Sequence, residues 1–495
     1  MSNIRVTYSG LISFGSTLVN AVFGLGFIII VTRMLTQQDY GTWGLIASLF
    51  FYTMVASSFI NFWTIRDVAR GKKVERTSLI SSGVFSIFGI FIYLVIISLI
   101  QSSIELDVLI IAAILIPINF LRKTVTSINL GWKPEIASYG TTLSGISSVP
   151  LALFFIYFLD WSVIGIIFSL LIAQSINIIF QVMYLRDKIK AKFNADIFKR
   201  WFKFSWIPTY PEISNVMYMS DIVIFMAITG SVIGISYYSA ALVLGGIVGY
   251  AATISTSIYP KLLSGDKGKI ISRNFTHLSF FIILFSCLVI TFAKPGIIVL
   301  NPVYEIAAVV VIFLTIRVVF FNLSDVFEKC LIGVEKVDNE AKSTFKNYIK
   351  SKLFFIPTLR LIQNTAYIII LGIVLFLLNN STKDIELVIF WSIIAMSSQI
   401  PLTLYLLYKV KQTFQLKFET NSITKYVFAG FISFSFIYFL MDEFLIYNEV
   451  VSEFLPQVLI FVFLGIGIYL VVSLLIDKSI RNLIKSIILE IRKQY

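Results

Sequence analysis

The chain has 495 residues, of which 58% are hydrophobic and only 14% charged, and its formal net charge is +13. A soluble protein carries about 25% charged residues, so this much apolar side chain needs a bilayer as its solvent. The basic excess would suit a nucleic acid only on a polar, water-facing domain, and no stretch is long and polar enough to form one. We therefore expect a membrane protein with no nucleic-acid partner.

Apolar runs of about 20 residues recur along the chain with short charged gaps between them, the pattern of membrane-spanning helices. We predict an all-α polytopic fold of about 14 spans. The predicted spans lie near residues 8–31, 42–63, 80–101, 106–121, 136–158, 162–185, 207–229, 237–259, 276–293, 304–324, 355–378, 386–408, 426–446 and 456–476.

The positive charges give the orientation of these spans. A cytoplasmic N-terminus puts all but four of the 40 lysines and arginines on the cytoplasmic side, as positive residues usually are. The four exceptions are Arg33, Lys294, Arg317 and Lys383. One missed span would exchange the sides of every later loop, so the charges support the count. We expect both termini in the cytoplasm and a multi-pass protein of the plasma membrane.

A weak internal repeat suggests two lobes. Residues 37–49 and 231–244 both follow an apolar span, place Gly41 and Gly234 in matching positions, and are separated by six spans. This is the plan of transporters with parallel repeats. The predicted parts are an N-terminal lobe (1–185), a basic cytoplasmic linker (186–205), a C-terminal lobe (206–408), a helix pair (409–476) and a tail (477–495). The tail is basic and amphipathic, and we expect it to lie on the anionic inner leaflet, with a merely solvated tail as the alternative.

Ionisable residues inside spans are the first functional candidates. Glu212 and Asp221 lie in span seven and Arg317 lies near the middle of span ten; such charges usually face a bundle interior or a water-filled cavity. Tyr218 shares a helical face with Asp221, and Asp325 lies two turns below Arg317. Arg317 could pair with Asp221 or with Asp325, either to hold helices together or as part of a transport path. We count Arg317 as the only arginine near the middle of the membrane.

The first two spans supply further candidates. Asn20 lies on a small and polar face of span one, which suits close helix packing and cavity lining equally well. Arg66 could guard the inner mouth of a path. Arg33 stands at the outer end of span one, where it could anchor lipid headgroups, pair with Asp39 as an outer gate, or contact a phosphate. We favour the gate, and we expect Gly41 to make the turn that starts span two.

Enzyme chemistry has no motif in this chain. There is no nucleotide-binding P-loop, and one histidine (His277) with two distant cysteines (Cys287, Cys330) cannot build a His-rich metal site or a disulfide framework. We therefore expect no enzyme, no cofactor and no metal.

Three segments, in their order and spacing, resemble the polysaccharide transporters of the multidrug/oligosaccharidyl-lipid/polysaccharide (MOP) flippase superfamily, which include the O-antigen flippases. They are VTRMLTQQDYGTW (31–43), SDIVIFMAITGSVIGISYYSAALVL (220–244) and FAKPGIIVLNPVYEIAAVVVIFLTI (292–316). The third departs from the family, which usually has a glycine where this chain has Asn301-Pro302.

The resemblance implies two six-helix lobes around a cavity that opens alternately to either side. The cargo would be a polyprenyl or dolichyl (pyro)phosphate-linked oligosaccharide, flipped from the cytoplasmic to the outer leaflet by the membrane potential or a proton or sodium gradient. The implied substrate or cavity residues are Arg317, Arg33, Arg66, Asn20 and Tyr218. The implied ion-coupling or gating residues are Asp221, Glu212, Asp39 and Asp325. A drug or metabolite antiporter of the same superfamily and a non-transporting scaffold of a polysaccharide assembly machine are the alternatives, and we expect a monomer.

Overall fold

The computed structural model describes residues 6–99, 105–190, 192–257, 267–332, 349, 351–414 and 419–481, and these residues contain helices and no strand. Eighteen α-helices occupy the described ranges. They are α1 (Val6–Met34), α2 (Gln37–Ala69), α3 (Glu75–Leu99), α4 (Leu106–Ala112), α5 (Leu115–Trp132), α6 (Pro134–Ala152), α7 (Ser162–Leu185), α8 (Ala195–Lys203), α9 (Trp206–Tyr218), α10 (Ser220–Thr229), α11 (Val232–Gly245), α12 (Lys267–Thr291), α13 (Ala293–Leu300), α14 (Ala308–Ile332), α15 (Lys352–Leu378), α16 (Asp384–Phe414), α17 (Thr420–Phe444) and α18 (Val451–Ile476).

Within the described residues, 14 helical segments are long and apolar enough to cross a membrane, which confirms the predicted number. Two of them are broken: α4 and α5 together form the fourth span, and α9 and α10 form the seventh. Three others change helix type along their length. These are the fifth, which ends in a π-helical turn (Leu153–Phe158), the eighth, which continues as a 3-10 helix (Gly246–Ser257), and the tenth, which begins as one (Pro302–Ala307).

Several helices extend further on the cytoplasmic side than the sequence predicted. The fourth span ends at Trp132 instead of residue 121, and the tenth continues at least to Ile332, the last described residue of that helix, instead of ending at residue 324. A charged side chain does not end a helix, because the backbone hydrogen bonds stay internal and long side chains can reach toward water. The predicted end of a span was therefore too early wherever we placed it at the first charged residue after the apolar run.

The contacts divide the chain into two compact units. Unit 1 comprises Met1–Ser236 and Leu371–Asp384, and unit 2 comprises Tyr237–Ile370 and Ile385–Tyr495. The predicted lobe boundaries at 1–185, 206–408 and 409–476 stay a prediction. The predicted tail helix lies outside the described residues beyond residue 481.

In unit 1 the short helix α8, which lies in the predicted linker, is fixed to the C-terminal end of α2. Trp201 is fully buried in an apolar cluster with Ile60 and Ile128. Its indole Nε1 donates to Asp67 Oδ2 at 2.9 Å, and the Arg200 guanidinium pairs with the same carboxylate. Asp67 is itself completely buried, so α8 is held by an ionic contact to a buried carboxylate as well as by apolar packing.

Candidate functional site

The start of α2 is built by a helix cap. Thr36 Oγ1 accepts from the Asp39 backbone N–H at 3.1 Å and donates to Asp39 Oδ2 at 2.8 Å. A threonine cap and an acidic first turn both stabilise a helix N-terminus. Asp39 therefore has a structural partner in Thr36. Arg33 lies in the last turn of α1 and is partly exposed, and the proposed gate between Arg33 and Asp39 stays a prediction.

Gly41 lies inside α2, so the prediction that it forms the turn before span two is wrong. What needs a glycine here is close packing in unit 1. A Cβ built at Gly41 would lie 1.9 Å from the carbonyl oxygen and 2.7 Å from the carbonyl carbon of Val232, the first residue of α11. No side chain fits at that separation, so the two helix starts touch backbone to backbone.

The polar face of α1 packs against α6. Ser16 Oγ donates to the Ser138 carbonyl oxygen at 3.0 Å and lies 2.6 Å from Thr142 Oγ1. Asn20 donates to Ser16 Oγ at 3.3 Å, and a Cβ at Gly145 would lie only 2.2 Å from Asn20 Oδ1. Small residues thus bring the two helices close together. Asn20 takes part in this packing, and its role in a cavity stays a prediction.

Two cations lie inside the fourth span, where the sequence placed a cytoplasmic loop. Arg122 and Lys123 are partly buried residues of α5, about ten residues (about 15 Å) before its cytoplasmic end at Trp132. Arg122 Nη2 donates to Asn119 Oδ1 at 3.3 Å, whereas its Nε is buried without a hydrogen-bond partner among the described residues. Lys123 interacts electrostatically with Glu212 of α9. The fourth helical span in unit 1 therefore contains two adjacent cations, one of which, Lys123, interacts with a carboxylate.

The two acidic residues of span seven occupy different surroundings. Glu212 is partly buried and accepts from Asn215 Nδ2 at 3.2 Å. Asp221 is only 2% exposed and lies in the first turn of α10, just after the break at Met219. Its Oδ1 accepts from the Ile222 N–H at 2.8 Å. Asp221 thus accepts a hydrogen bond from one of the N–H groups that have no partner within the first turn of a helix.

The remaining candidates of unit 1 are Arg66 of α2 and Tyr218 of α9, and a third side chain, Tyr52 of α2, lies beside Asp221. Tyr52 hydrogen-bonds the Ser220 side chain beside Asp221. One turn before the helix end, the Arg66 guanidinium carbon lies 3.7 Å from the centre of the Phe62 ring, and its side chain is exposed. Arg66 therefore lies in the last turn of α2, and its role at an inner mouth stays a prediction. Tyr218, the last residue of α9, is partly exposed.

Arg317 lies in a buried aromatic cluster of unit 2. It is 5% exposed, and its Nη1 donates to Tyr238 Oη at 3.1 Å. The Tyr238 ring stacks on Trp391 with ring centres 3.7 Å apart, and Trp391 Nε1 donates to Tyr367 Oη at 2.8 Å. Asp325 pairs with Lys329 one turn on, at 2.6 Å. The predicted ion pair between Arg317 and Asp325 was wrong, because the two residues are eight positions, or about 12 Å, apart along one helix.

That Arg317 is the only arginine near the middle of the membrane stays a prediction, but a partly buried arginine inside another span was missed in the sequence. Arg360 lies in the third turn of α15, where it pairs with Glu328 of α14 at 2.7 Å. The sequence did contain a signal for one set of missed cations, Arg122 and Lys123. The predicted fourth span, 106–121, was shorter than the ~20 residues that a bilayer requires, which was a reason to continue it through Arg122 and Lys123. The described residues contain no group of three His, Cys, Asp or Glu side chains that could hold a metal ion.

The chain matches no protein-family model and no curated protein. It does resemble solved membrane transporters. An inward-facing multidrug resistance transporter of the MATE family, in the MOP superfamily, matches with a TM-score of 0.60 at 13% identity over 82% of this chain and 99% of that chain. An outward-facing transporter of the same family matches with a TM-score of 0.52 at 14% identity, over 84% of this chain and 96% of that chain.

A MOP superfamily transporter from Pyrococcus furiosus, described as having a binding pocket of reversed polarity that suggests a different function, matches with a TM-score of 0.51. Its identity is 14%, over 84% of this chain and 96% of that chain. At such identities the similarity establishes architecture alone. The chain is a multi-pass membrane protein with the fold of the MATE transporters of the MOP superfamily.

Proposed function

We propose that this protein flips a lipid-linked oligosaccharide, carried on a polyprenyl or dolichyl (pyro)phosphate, from the cytoplasmic to the outer leaflet of the plasma membrane. It does so by alternating access, driven by the membrane potential or an ion gradient. The observation that carries the proposal is the cation pair Arg122 and Lys123 inside the fourth span.

Cations in a membrane interior are costly, so a chain keeps them where they serve a purpose. Arg122 and Lys123 are adjacent, and Glu212 is the carboxylate that acts on Lys123. The buried Nε of Arg122 has a donor to spare among the described residues. A guanidinium beside an ammonium is the arrangement that binds a phosphate oxyanion through charge-assisted hydrogen bonds. An anionic headgroup therefore suits this site better than a cationic drug does.

The fold supports the transport cycle. Transporters of this architecture are known in inward-facing and in outward-facing conformations, which are the two states that alternating access requires. A sugar headgroup would travel through a hydrated path while its polyprenyl chain stays in lipid.

A drug or metabolite antiporter is the second candidate, because the fold is that of multidrug transporters. Such a protein would use Glu212 and Asp221 to attract cationic compounds, and the cation pair on α5 would oppose them. The two functions therefore make opposite predictions for substitutions of Arg122 and Lys123.

The test uses the full chain reconstituted in liposomes, with a fluorescent lipid-linked oligosaccharide or a cationic dye as cargo. Arg122→Gln with Lys123→Met removes both charges at similar side-chain size. We expect loss of about 1.5–3 kcal/mol of phosphate binding, which is about tenfold to a hundredfold in affinity. Lys133→Met changes an exposed lysine at the end of the same helix and should leave flipping intact. Dye transport that rises in the double variant, without movement of the lipid-linked sugar in the wild type, would favour the antiporter.

A further inference from the structure

Three helices of unit 2 meet through polar side chains. Ser324 and Glu328 of α14, Arg360 and Gln363 of α15, and Gln399 of α16 form one connected group. The spacing of four residues on α14 and three on α15 places each pair on a single helical face. The group is therefore a polar cluster between three helices, each of which contributes a polar face to it.

The centre of this group is an ion pair. Arg360 donates to Glu328 Oε1 through Nε at 3.0 Å and through Nη2 at 2.7 Å. The two side chains are only 12% and 14% exposed. Arg360 Nη2 also lies 3.4 Å from Ser324 Oγ, which accepts from Gln399 Nε2 at 3.1 Å. Ser324 therefore connects the ion pair to α16.

Glu328 keeps an oxygen on which a proton can bind. Both donors of Arg360 use Oε1, so Oε2 is not taken by the guanidinium. The other charges that act on Glu328 are Asp325 and Lys329 of its own helix, and these pair with each other at 2.6 Å. Arg360 is thus the counter-ion of Glu328. Glu328 lies four residues, or about 6 Å, before Ile332, the last described residue of α14.

The group also contains a buried polar atom that has no hydrogen-bond partner among the described residues. Gln363 Nε2 donates to Gln399 Oε1 at 3.2 Å, but Gln363 Oε1 is buried without a hydrogen-bond partner among the described residues. Buried amide oxygens of this kind are ordinarily satisfied by water. The interior next to the ion pair can therefore accept a hydrogen bond from a donor that the described residues do not supply.

We propose that Glu328 is the residue that binds the proton coupled to transport, with Arg360 as its counter-ion; this rests on the proposed transport function. A hydronium ion on the cytoplasmic side gives its proton to Oε2, which leaves a water molecule and a neutral carboxylic acid. Arg360 keeps its own protons and becomes a shielded cation without a counter-ion, which favours the separation of α15 from α14. Release of the proton restores the pair and the packing of the two helices.

Proton binding can be measured without knowing the substrate. The full chain in lipid nanodiscs is titrated with acid while infrared difference spectra follow the C=O stretch of protonated carboxyl groups. Glu328→Gln should lose one component of that band, and Asp325→Asn, an acidic neighbour on the same helix, should keep it. The same component in wild type and in Glu328→Gln would overturn the proposal.

Loss of folding is separated from loss of the proton site by a second variant. Glu328→Gln with Arg360→Gln removes both charges, leaves no unpaired cation, and should keep the wild-type melting temperature while still lacking the carboxyl component. In liposomes Glu328→Gln should lose gradient-driven accumulation but keep downhill exchange. Gradient-driven accumulation that persists in Glu328→Gln would overturn the coupling role. Absence of any transport in the wild type would contradict the proposed function, and the infrared result would still decide the proton site.

Discussion

Gly41→Ala tests the contact between the starts of α2 and α11. The added Cβ would lie 1.9 Å from the Val232 carbonyl oxygen, whereas an ordinary contact begins at 3.4 Å. The two backbones must therefore separate by about 1.5 Å. Neither partner is a flexible side chain, so the separation cannot be absorbed by a change of rotamer.

The size of the effect follows from two opposing terms. Forcing a methyl group into a packed interior costs about 1–3 kcal/mol. Alanine also favours the helix over glycine by about 1 kcal/mol, but it does so whether or not α2 packs against α11. The substitution should therefore weaken this packed arrangement by about 1–3 kcal/mol while leaving α2 itself intact.

A matched control separates packing from helix propensity. Gly83 lies in α3 and has open space where a Cβ would stand, so Gly83→Ala should leave thermal unfolding and transport unchanged or slightly improved. Gly41→Ala should show a lower melting temperature and faster hydrogen exchange at the starts of α2 and α11. If both variants behave alike in these measurements, the close approach of Gly41 to Val232 does not exist.

Three further outcomes are expected. Thr36→Val removes the N-cap of α2 and should lower stability by about 1 kcal/mol, whereas Thr36→Ser should behave as wild type in thermal melts. Asp67→Asn should lower stability by about 1–3 kcal/mol, which is less than the full value for a buried ion pair because Arg200 is 37% exposed. An unchanged melting temperature would show that the contact of Asp67 with Arg200 and Trp201 does not hold α8 in place. The hydrogen bond to Glu305 raises the pKa of Lys294, so this pair is intact below the unfolded-state pKa of about 10.4 and is lost as the pH rises through the higher folded value. The protection of the α13 amides against hydrogen exchange, taken relative to the rate of an unstructured peptide at the same pH, should therefore be constant near neutrality and lower in Lys294→Gln.

The number of spans was predictable because hydrophobicity and charge asymmetry act on whole helices. Every predicted span corresponds to a helix in the described ranges, although many inner ends were placed too early. The role of Gly41 was not predictable. A glycine that follows an Asp-Tyr pair looks the same in a turn and in a helix, and only the position of Val232, far along the chain, requires the missing side chain.

Charged residues inside the membrane are difficult to find from sequence for a physical reason. A cation interrupts the apolar run from which a span is predicted. A search for apolar runs therefore assigns the cation to the adjoining loop. Arg122 and Lys123 were assigned to a loop in this way, although they lie within a helical span of 27 residues. The run that remained, 106–121, was the shortest of the predicted spans. An apparent span too short for the bilayer, followed at once by paired cations, therefore indicates that the helix continues and that the cations lie within the membrane.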